Sequence, residues 1–451
     1  MTGHEYLQSV IEQTRRVHPT EPEFLQTVQE ILGSLAPVLD RHPEYMEAGI
    51  VDRLMEPERA IVFRTSWIDD AGKLHVNRSY RVQYNSALGP YKGGLRFAPS
   101  VNLSVMKFLG LEQTLKNSLS DLPMGGAKGG SDFDPVGKSD AEIMRFCQAF
   151  MSELARHIGD DIDIPAGDLG VGAREIGYLF GQYKALTGHF SGVITGKGIS
   201  YGGSSIRSEA TGFGASYFAA HVLDGMGDSI EGKRVAISGF GNVAWGACIK
   251  MSQLGGKVIT ISGPDGCIYD PDGVGTQEKW DYLLTMRASN RNRAQDYADH
   301  FGCEFYPGQK PWSREDIDIV MPCATQNELQ LDDAKAIVKN GVRYVFEVSN
   351  MSSTNEAIAY LQENGVVLAP SKAVNAGGVI VSCFEMSQNA SHIYWPAAEV
   401  DEKLQIMMKR SYDACLRHAA DYGMPGNLVA GANIAGFEKL ADAMYRQGIT
   451  Y

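Results

Sequence analysis

Several classes of protein are excluded by what this sequence lacks. Its seven cysteines, at positions 147, 248, 267, 303, 323, 383 and 415, are spread over 451 residues, and no two form a Cys-x-x-Cys pair. An odd, scattered set in a long chain reads as reduced thiols, which argues against a disulfide scaffold and for the cytoplasm. The ten histidines show no His-x-x-x-His or comparable spacing, so no metal site is expected. No apolar run reaches the roughly 18 residues of a spanning helix. Residues Met1 to Val10 show no basic segment followed by an apolar stretch, so no signal peptide is expected. Basic residues are in deficit, 41 Lys and Arg against 54 Asp and Glu, for a net charge of −13. That balance argues against nucleic acid or an anionic membrane as partner. It does not exclude a small anionic substrate, because a local group of lysines sets its own field.

What is present is a long chain with 44% hydrophobic and 21% charged residues, enough for two or three globular domains. One stretch stands out: Leu122-Pro123-Met124-Gly125-Gly126-Ala127-Lys128-Gly129-Gly130. It reads in two ways. Glycines let a backbone bend tightly and approach a ligand closely, and a lysine desolvated there becomes a base or electrophile. Equally, the stretch is a flexible surface turn carrying a solvated lysine.

Residues 5–55 read as helices, with Leu25, Val28, Ile31, Leu32 and Leu35 at helical spacing. Ala60 to Trp67 is strand-like. From Leu74 to Tyr84, apolar Leu74, Val76, Tyr80, Val82 and Tyr84 alternate with polar residues, the pattern of a half-buried strand. Leu103 to Leu119 is a helix apolar nearly all round, with Gln113 and Lys116 on one face near its end. Lys116 there also suits the negative end of the helix dipole. A short strand at 162–164 leads into Pro165-Ala166-Gly167-Asp168, where Asp168 has the ordinary reading of a helix cap. The glycine-rich stretch from Gly192 to Gly214 suggests an interdomain hinge.

Beyond Gly232 the pattern is regular. Arg234 to Ser238 is a compact apolar strand, followed at once by Gly239-Phe240-Gly241-Asn242-Val243-Ala244 and a helix ending at Gly255-Gly256. A second strand runs from Lys257 to Ser262. Strand, Gly-x-Gly-x-x-Ala turn and helix in that order form the dinucleotide-binding fingerprint, in which the helix N-terminus offers its free N–H groups to a pyrophosphate. Short strands at 317–321, 344–348 and 366–369 alternate with helices, one opened by a capping-box pattern at Ser353 to Glu356. This alternation predicts a doubly wound parallel sheet. Long helices are expected over 398–422 and 428–447, the last returning to the first domain.

Taken together, several separated segments resemble the hexameric glutamate dehydrogenases of the Glu/Leu/Phe/Val dehydrogenase superfamily along nearly the whole chain. They are Tyr91 to Arg96, the Gln113/Lys116 helix, Pro123 to Gly130, Pro165 to Asp168, Gly239 to Ala244, Pro322 to Asn327, Asn375 to Val379 and Gly431 to Phe437. The likeness is nearest to the clostridial NAD-dependent type, judged by Gly239-Phe240-Gly241 and Ser262 to Gly266. It implies an α/β chain of two domains. Residues 1–204, with a C-terminal return over 425–451, would form a substrate-binding and oligomerisation domain. Residues 205–424 would form a Rossmann-like dinucleotide-binding domain. The implied reaction is reversible oxidation of glutamate to 2-oxoglutarate and ammonium with NAD, NADP being possible, in a homohexamer.

The resemblance also implies roles. Lys92 and Ser382 would hold the side-chain carboxylate of glutamate, and Lys116 and Gln113 its α-carboxylate. Lys128 would activate water, its proton affinity lowered by Lys116, and Asp168 would carry a proton to and from the substrate nitrogen. Ala166, Gly167, Arg207, Asn375 and Val379 would line the substrate. Thr211, Gly239, Phe240, Gly241, Asn242, Val243, Ala324 and Asn350 would meet the cofactor. Ser349-Asn350-Met351-Ser352 departs from the family's Ala-Asn-Met-Pro beside one of these contacts. Leucine and phenylalanine dehydrogenases carry an apolar residue in place of Lys92. A buried lysine facing an aliphatic substrate would lack a partner, at about 3–5 kcal/mol. For the cofactor, Asp265 just past the second strand would accept from the ribose hydroxyls and repel a 2′-phosphate. Arg291 and Arg293 nearby read as a solvated helix face, or as phosphate ligands if the loop folds inward. Other readings are a dehydrogenase for another 2-amino acid and a silent protein that only binds 2-oxoglutarate or cofactor.

Overall fold

Two five-stranded sheets organise the chain in a computed structural model that describes residues 1–289 and 291–449. The first is built from β1 (Arg59–Ile68), β2 (Leu74–Asn85), β3 (Tyr91–Phe97), β4 (Gly126–Ser131) and β5 (Asp163–Gly167) in the spatial order β1-β2-β4-β3-β5. β1 and β4 each pair antiparallel with β2, whereas β3 runs parallel to both β4 and β5. The second contains β6 (Arg234–Ile237), β7 (Lys257–Thr260), β11 (Ile319–Met321), β12 (Tyr344–Phe346) and β13 (Val367–Ala369). All its pairs are parallel, in the order β13-β12-β11-β6-β7. A small antiparallel sheet of β8 (Ser262–Gly263), β9 (Gly266–Tyr269) and β10 (Glu304–Pro307) is inserted between β7 and β11.

In the parallel sheet, the connection from β6 leads outward to β7 and the later strands continue on the other side. This reversal opens a crevice beyond the carboxyl ends of β6 and β11, the place where doubly wound sheets bind ligands. Gly239 follows β6 and Ala324 follows β11, and a Cβ placed on Gly239 would lie 3.2 Å from that of Ala324. Gly239 has φ +77°, a left-handed conformation that glycine adopts without penalty.

The glycine-rich stretch around Lys128 is not a turn. It forms β4, a strand buried along its whole length between β2 and β3, with Lys128 opposite Val82. Its glycines serve close packing: a Cβ on Gly126 would lie 1.9 Å from Thr114 Oγ1 on the helix Leu103–Leu119. That helix therefore lies tight against β4 and carries Gln113 and Lys116 over Lys128.

Four other expectations are corrected. The stretch expected as a hinge, Gly192 to Gly214, is packed core at its two ends. Val193, Ile194 and Thr195 are buried, and Gly212 and Gly214 belong to the helix Ala210–Gly225. A Cβ on either glycine would meet backbone of the neighbouring helices, at Ala247 and Gly377, so these glycines allow helices to touch. β2 does not alternate simply. Leu74 and Val76 are 62% and 60% exposed, and from Ser79 onward both faces are covered. The cap near residue 354 lies one residue later than the capping-box reading. Thr354 accepts from Ala357 N–H, and the helix runs from Asn355 to Glu363. Asp168 is not a helix cap, because the helix it precedes begins at Ala173 after Gly172.

The last helix, Leu428–Gln447, joins the two halves. Its Ile434, Phe437, Leu440, Ala441 and Met444 pack into the core formed by Tyr6 to Leu115. Its Leu428, Ala432 and Ala435 belong to the core of the parallel-sheet half. Among the described residues no helix is long and apolar enough to cross a membrane, and no group of three or more His, Cys, Asp or Glu is placed to hold a metal.

Candidate active site

A cleft of about 500 Å³ separates the two sheets. β3 brings Lys92 to it, β4 brings Lys128, and the turn after β5 brings Asp168. The parallel register, with Lys92 opposite Ile164 and Leu95 opposite Gly167 and Gly129, sets Lys92 near the start of β3, Lys128 midway and Asp168 level with its end. Gln113 and Lys116 descend from the helix above, and Ala166 and Gly167 complete this wall. Arg207, Asn375, Val379 and Ser382 face it from the other half, with Thr211, Asn242, Val243, Ala324 and Asn350 toward the crevice of the parallel sheet.

Lys128 Nζ stands 3.2 Å from Asp168 Oδ2, and Arg96 Nε donates to the same oxygen at 2.7 Å. Burial lowers the proton affinity of Lys128; the negative charge of Asp168 opposes this, while Arg96 and Arg81 add to it. Lys116 and Lys128 repel each other as expected, and desolvation with two arginines adds to that effect on Lys128. Burial by itself would raise the Asp168 carboxyl, but the charges of Lys128 and Arg96 hold it well below the usual carboxylate range. Lys116 is lowered to about 8 by burial and by Lys128, against the pull of Glu112 and Asp168.

At the far end of the cleft, Lys92 is 1% exposed and donates to Thr195 Oγ1 at 2.8 Å. Burial, with Arg207 and Arg81 nearby, lowers it to about 7. Arg207 Nε donates to Ser382 Oγ at 2.9 Å. The site thus has two cationic ends, Lys92 at one and Lys116 with Lys128 at the other. Such a pair of poles recognises a molecule with two carboxylates. Thr195 and Arg96 had been given no role. The first lay in a stretch read as hinge, and the second was one charge among many until the fold set it against Asp168.

The residues also fit a dinucleotide. Gly241 precedes the helix Asn242–Gln253, and a Cβ there would meet no atom within 4 Å, so open space lies at that helix N-terminus. Asn375 donates from Nδ2 to Val348 O and Asn350 Oδ1, whereas its buried Oδ1 has no partner among the described residues. That leaves a free acceptor for an amide or amine. Gly239, Phe240 and Gly241 form the turn beneath Asn242 without lining the cleft themselves. The structure does not bring Asp265 to the cleft. Its carboxylate accepts from Ala294 and Gln295 N–H at 2.8 and 3.0 Å, at the start of the helix Gln295–Phe301. Arg291 and Arg293 face Asp296 at 3.0 and 3.8 Å.

A parallel sheet with a dinucleotide crevice, facing a wall of lysines and one aspartate, defines an amino-acid dehydrogenase. The chain belongs to the glutamate/leucine/phenylalanine/valine dehydrogenase family: the model of that family matches residues 202–448, and the model of its dimerisation domain matches residues 57–185. It is 60% identical to an NAD-specific glutamate dehydrogenase of Clostridium symbiosum, over 99% of each chain. It is 54% identical to an NADP-specific glutamate dehydrogenase of Giardia intestinalis, over 98% of each. A solved structure of a glutamate dehydrogenase superposes with a TM-score of 0.98 at 60% identity, covering 99% of this chain and all of the other.

Proposed function

We propose that this chain is a glutamate dehydrogenase that interconverts L-glutamate with 2-oxoglutarate and ammonium, using NAD and, less well, NADP. The observation that carries the substrate is Lys92, a buried ammonium placed opposite Lys116 and Lys128 with only a hydroxyl as partner. An aliphatic side chain would leave it unpaired, whereas the distal carboxylate of glutamate completes it.

In this reading Lys92 and Ser382 take the side-chain carboxylate, and Lys116 and Gln113 take the α-carboxylate. Arg207 holds Ser382, and Ala166, Gly167, Asn375 and Val379 shape the space around the aliphatic carbons. A bound nicotinamide would supply the hydride acceptor for the α-carbon. Lys128, with its proton affinity lowered by burial, takes a proton from the attacking water as general base. Asp168 exchanges a proton with the substrate nitrogen, and Arg96 orients it. Thr211, Asn242, Val243, Ala324 and Asn350 would hold the cofactor, with the Gly239-Phe240-Gly241 turn and the helix N-terminus it precedes offering N–H groups to its pyrophosphate.

Residues 1–204 with 425–451 form the substrate and oligomerisation domain in this reading, and 205–424 the dinucleotide-binding domain. A cytoplasmic homohexamer is supported by the resemblance and by the exposed apolar row Val62, Ile68, Leu74 and Val76 on the paired strands β1 and β2. The deciding assay follows NADH and NADPH oxidation side by side with 2-oxoglutarate and ammonium. Faster NADH oxidation is expected. No turnover with either cofactor, or preference for norvaline and leucine in the reverse direction, sinks the assignment.

A further inference from the structure

Behind the catalytic lysines lies a second, much smaller cavity of about 20 Å³, room for one water molecule. It adjoins the cleft through Gln113, Lys116, Lys128 and Asn350. Its far wall is formed by Glu112, Ser371 and Lys372. Glu112 and Lys116 are one helical turn apart, so they share a face. Neither has a hydrogen-bond partner among the described residues. The other polar walls each have a partner already: Gln113 donates to Asn117 Oδ1, Asn350 Oδ1 accepts from Asn375, Lys372 donates to Asn433 Oδ1 and Ser371 Oγ accepts from Met351 N–H. The cavity therefore holds one free carboxylate and one free amine beside Lys128.

We propose that Glu112 is a positioning residue for proton transfer, exchanging a proton with Lys128 through one water molecule held in this cavity. The reading rests on the glutamate dehydrogenase assignment. Oxidation of glutamate releases a proton in addition to the hydride, and the closing cleft needs a place for it. The cavity water takes a proton from the Lys128 ammonium and gives one to the Glu112 carboxylate, so the water is regenerated. The net change is an ammonium and a carboxylate becoming an amine and a carboxylic acid, with no electrons exchanged. Burial, with Glu30 adding to it, raises Glu112 to about 7, while Lys372, Lys116 and Lys128 pull the other way. Burial lowers the proton affinity of Lys128 as it raises that of Glu112, so donor and acceptor are brought closer together and the transfer is reversible.

The test is the pH profile of glutamate oxidation for the wild type and for Glu112→Gln. The wild type is expected to lose kcat below about pH 7. In the variant the acid limb should shift to that of Lys128 alone and kcat near pH 8 should fall about tenfold, with KM for glutamate within about twofold. A variant profile that superimposes on the wild type overturns the relay. If Glu112→Gln does not assemble, Lys372→Met serves: removing that cation should move the acid limb to higher pH, and an unmoved limb overturns the proposal. A wild type with no glutamate turnover at all removes the parent assignment, an outcome distinct from an active enzyme whose limb ignores Glu112.

Discussion

The two halves of the cleft are built on opposite principles. On the cofactor side, the recognition elements are backbone features: a left-handed glycine after β6, an open helix N-terminus at Gly241, and the crevice where the strand order reverses. On the substrate side they are buried charges, Lys92, Lys116 and Lys128, drawn from two strands and a helix, with the opposing charges incompletely matched. Backbone geometry recognises what all dinucleotides share. Unmatched buried charge selects one substrate, because only a ligand carrying the missing charges relieves the cost of burying them.

The contrast breaks most severely if Asp168 is neutralised. Asp168→Asn is expected to lower kcat about 10²–10⁴-fold while NADH binding, followed by fluorescence titration, stays near the wild-type value. Unchanged turnover would mean that the aspartate serves only to neutralise Lys128 and Arg96. Next in size is Lys92→Leu, which should cost glutamate about 3–5 kcal/mol in kcat/KM and norvaline far less. Equal losses for the two substrates would remove Lys92 from the side-chain pocket.

A titration effect sharpens the same contrast. Lys92 near 7 and Lys116 near 8 are partly or largely deprotonated at pH 8 in the free protein. A bound dicarboxylate raises both values, so 2-oxoglutarate binding at pH 8 should take up protons, and affinity should fall as pH rises above about 7. Calorimetry in buffers of different ionisation enthalpy reads the uptake; release of protons would contradict the two-pole site. The smallest effect is expected from Asp265→Ala. Since Asp265 holds the start of the helix Gln295–Phe301, the change should cost about 0.5–2 kcal/mol of stability and leave the NADH to NADPH ratio unaltered. A shift of that ratio toward NADPH would restore the carboxylate to the cofactor.

Legibility followed the same division. The βαβ unit at 234–260 was readable because strand, turn and helix are adjacent in sequence and each has its own periodicity. β4 was not, because a strand of glycines has no side-chain alternation to read. Its identity depends on Thr114 and β2 packing against it from outside. Lys92, Lys128 and Asp168 were found through resemblance, and the fold brings them to one cleft with Gln113, Lys116 and Ser382. Thr195 and Arg96 gain meaning only from contacts across 103 and 72 residues. Asp265 is read as a ribose contact from its place after a β-strand, and the fold adds a second partner that the sequence does not show, the start of a helix some 30 residues later.

The helix Leu428–Gln447 has a consequence for how the molecule is made. The core around Tyr6 to Leu115 is closed by Ile434, Phe437, Leu440 and Met444, residues translated long after the helices they cover. At about 5–20 residues per second, the first helices wait on the order of tens of seconds for the segment that seals them. During that interval the seam between the Leu103–Leu119 helix and its missing neighbour is bare apolar surface. Apolar surface left bare in this way is prone to aggregate until the late helix packs against it.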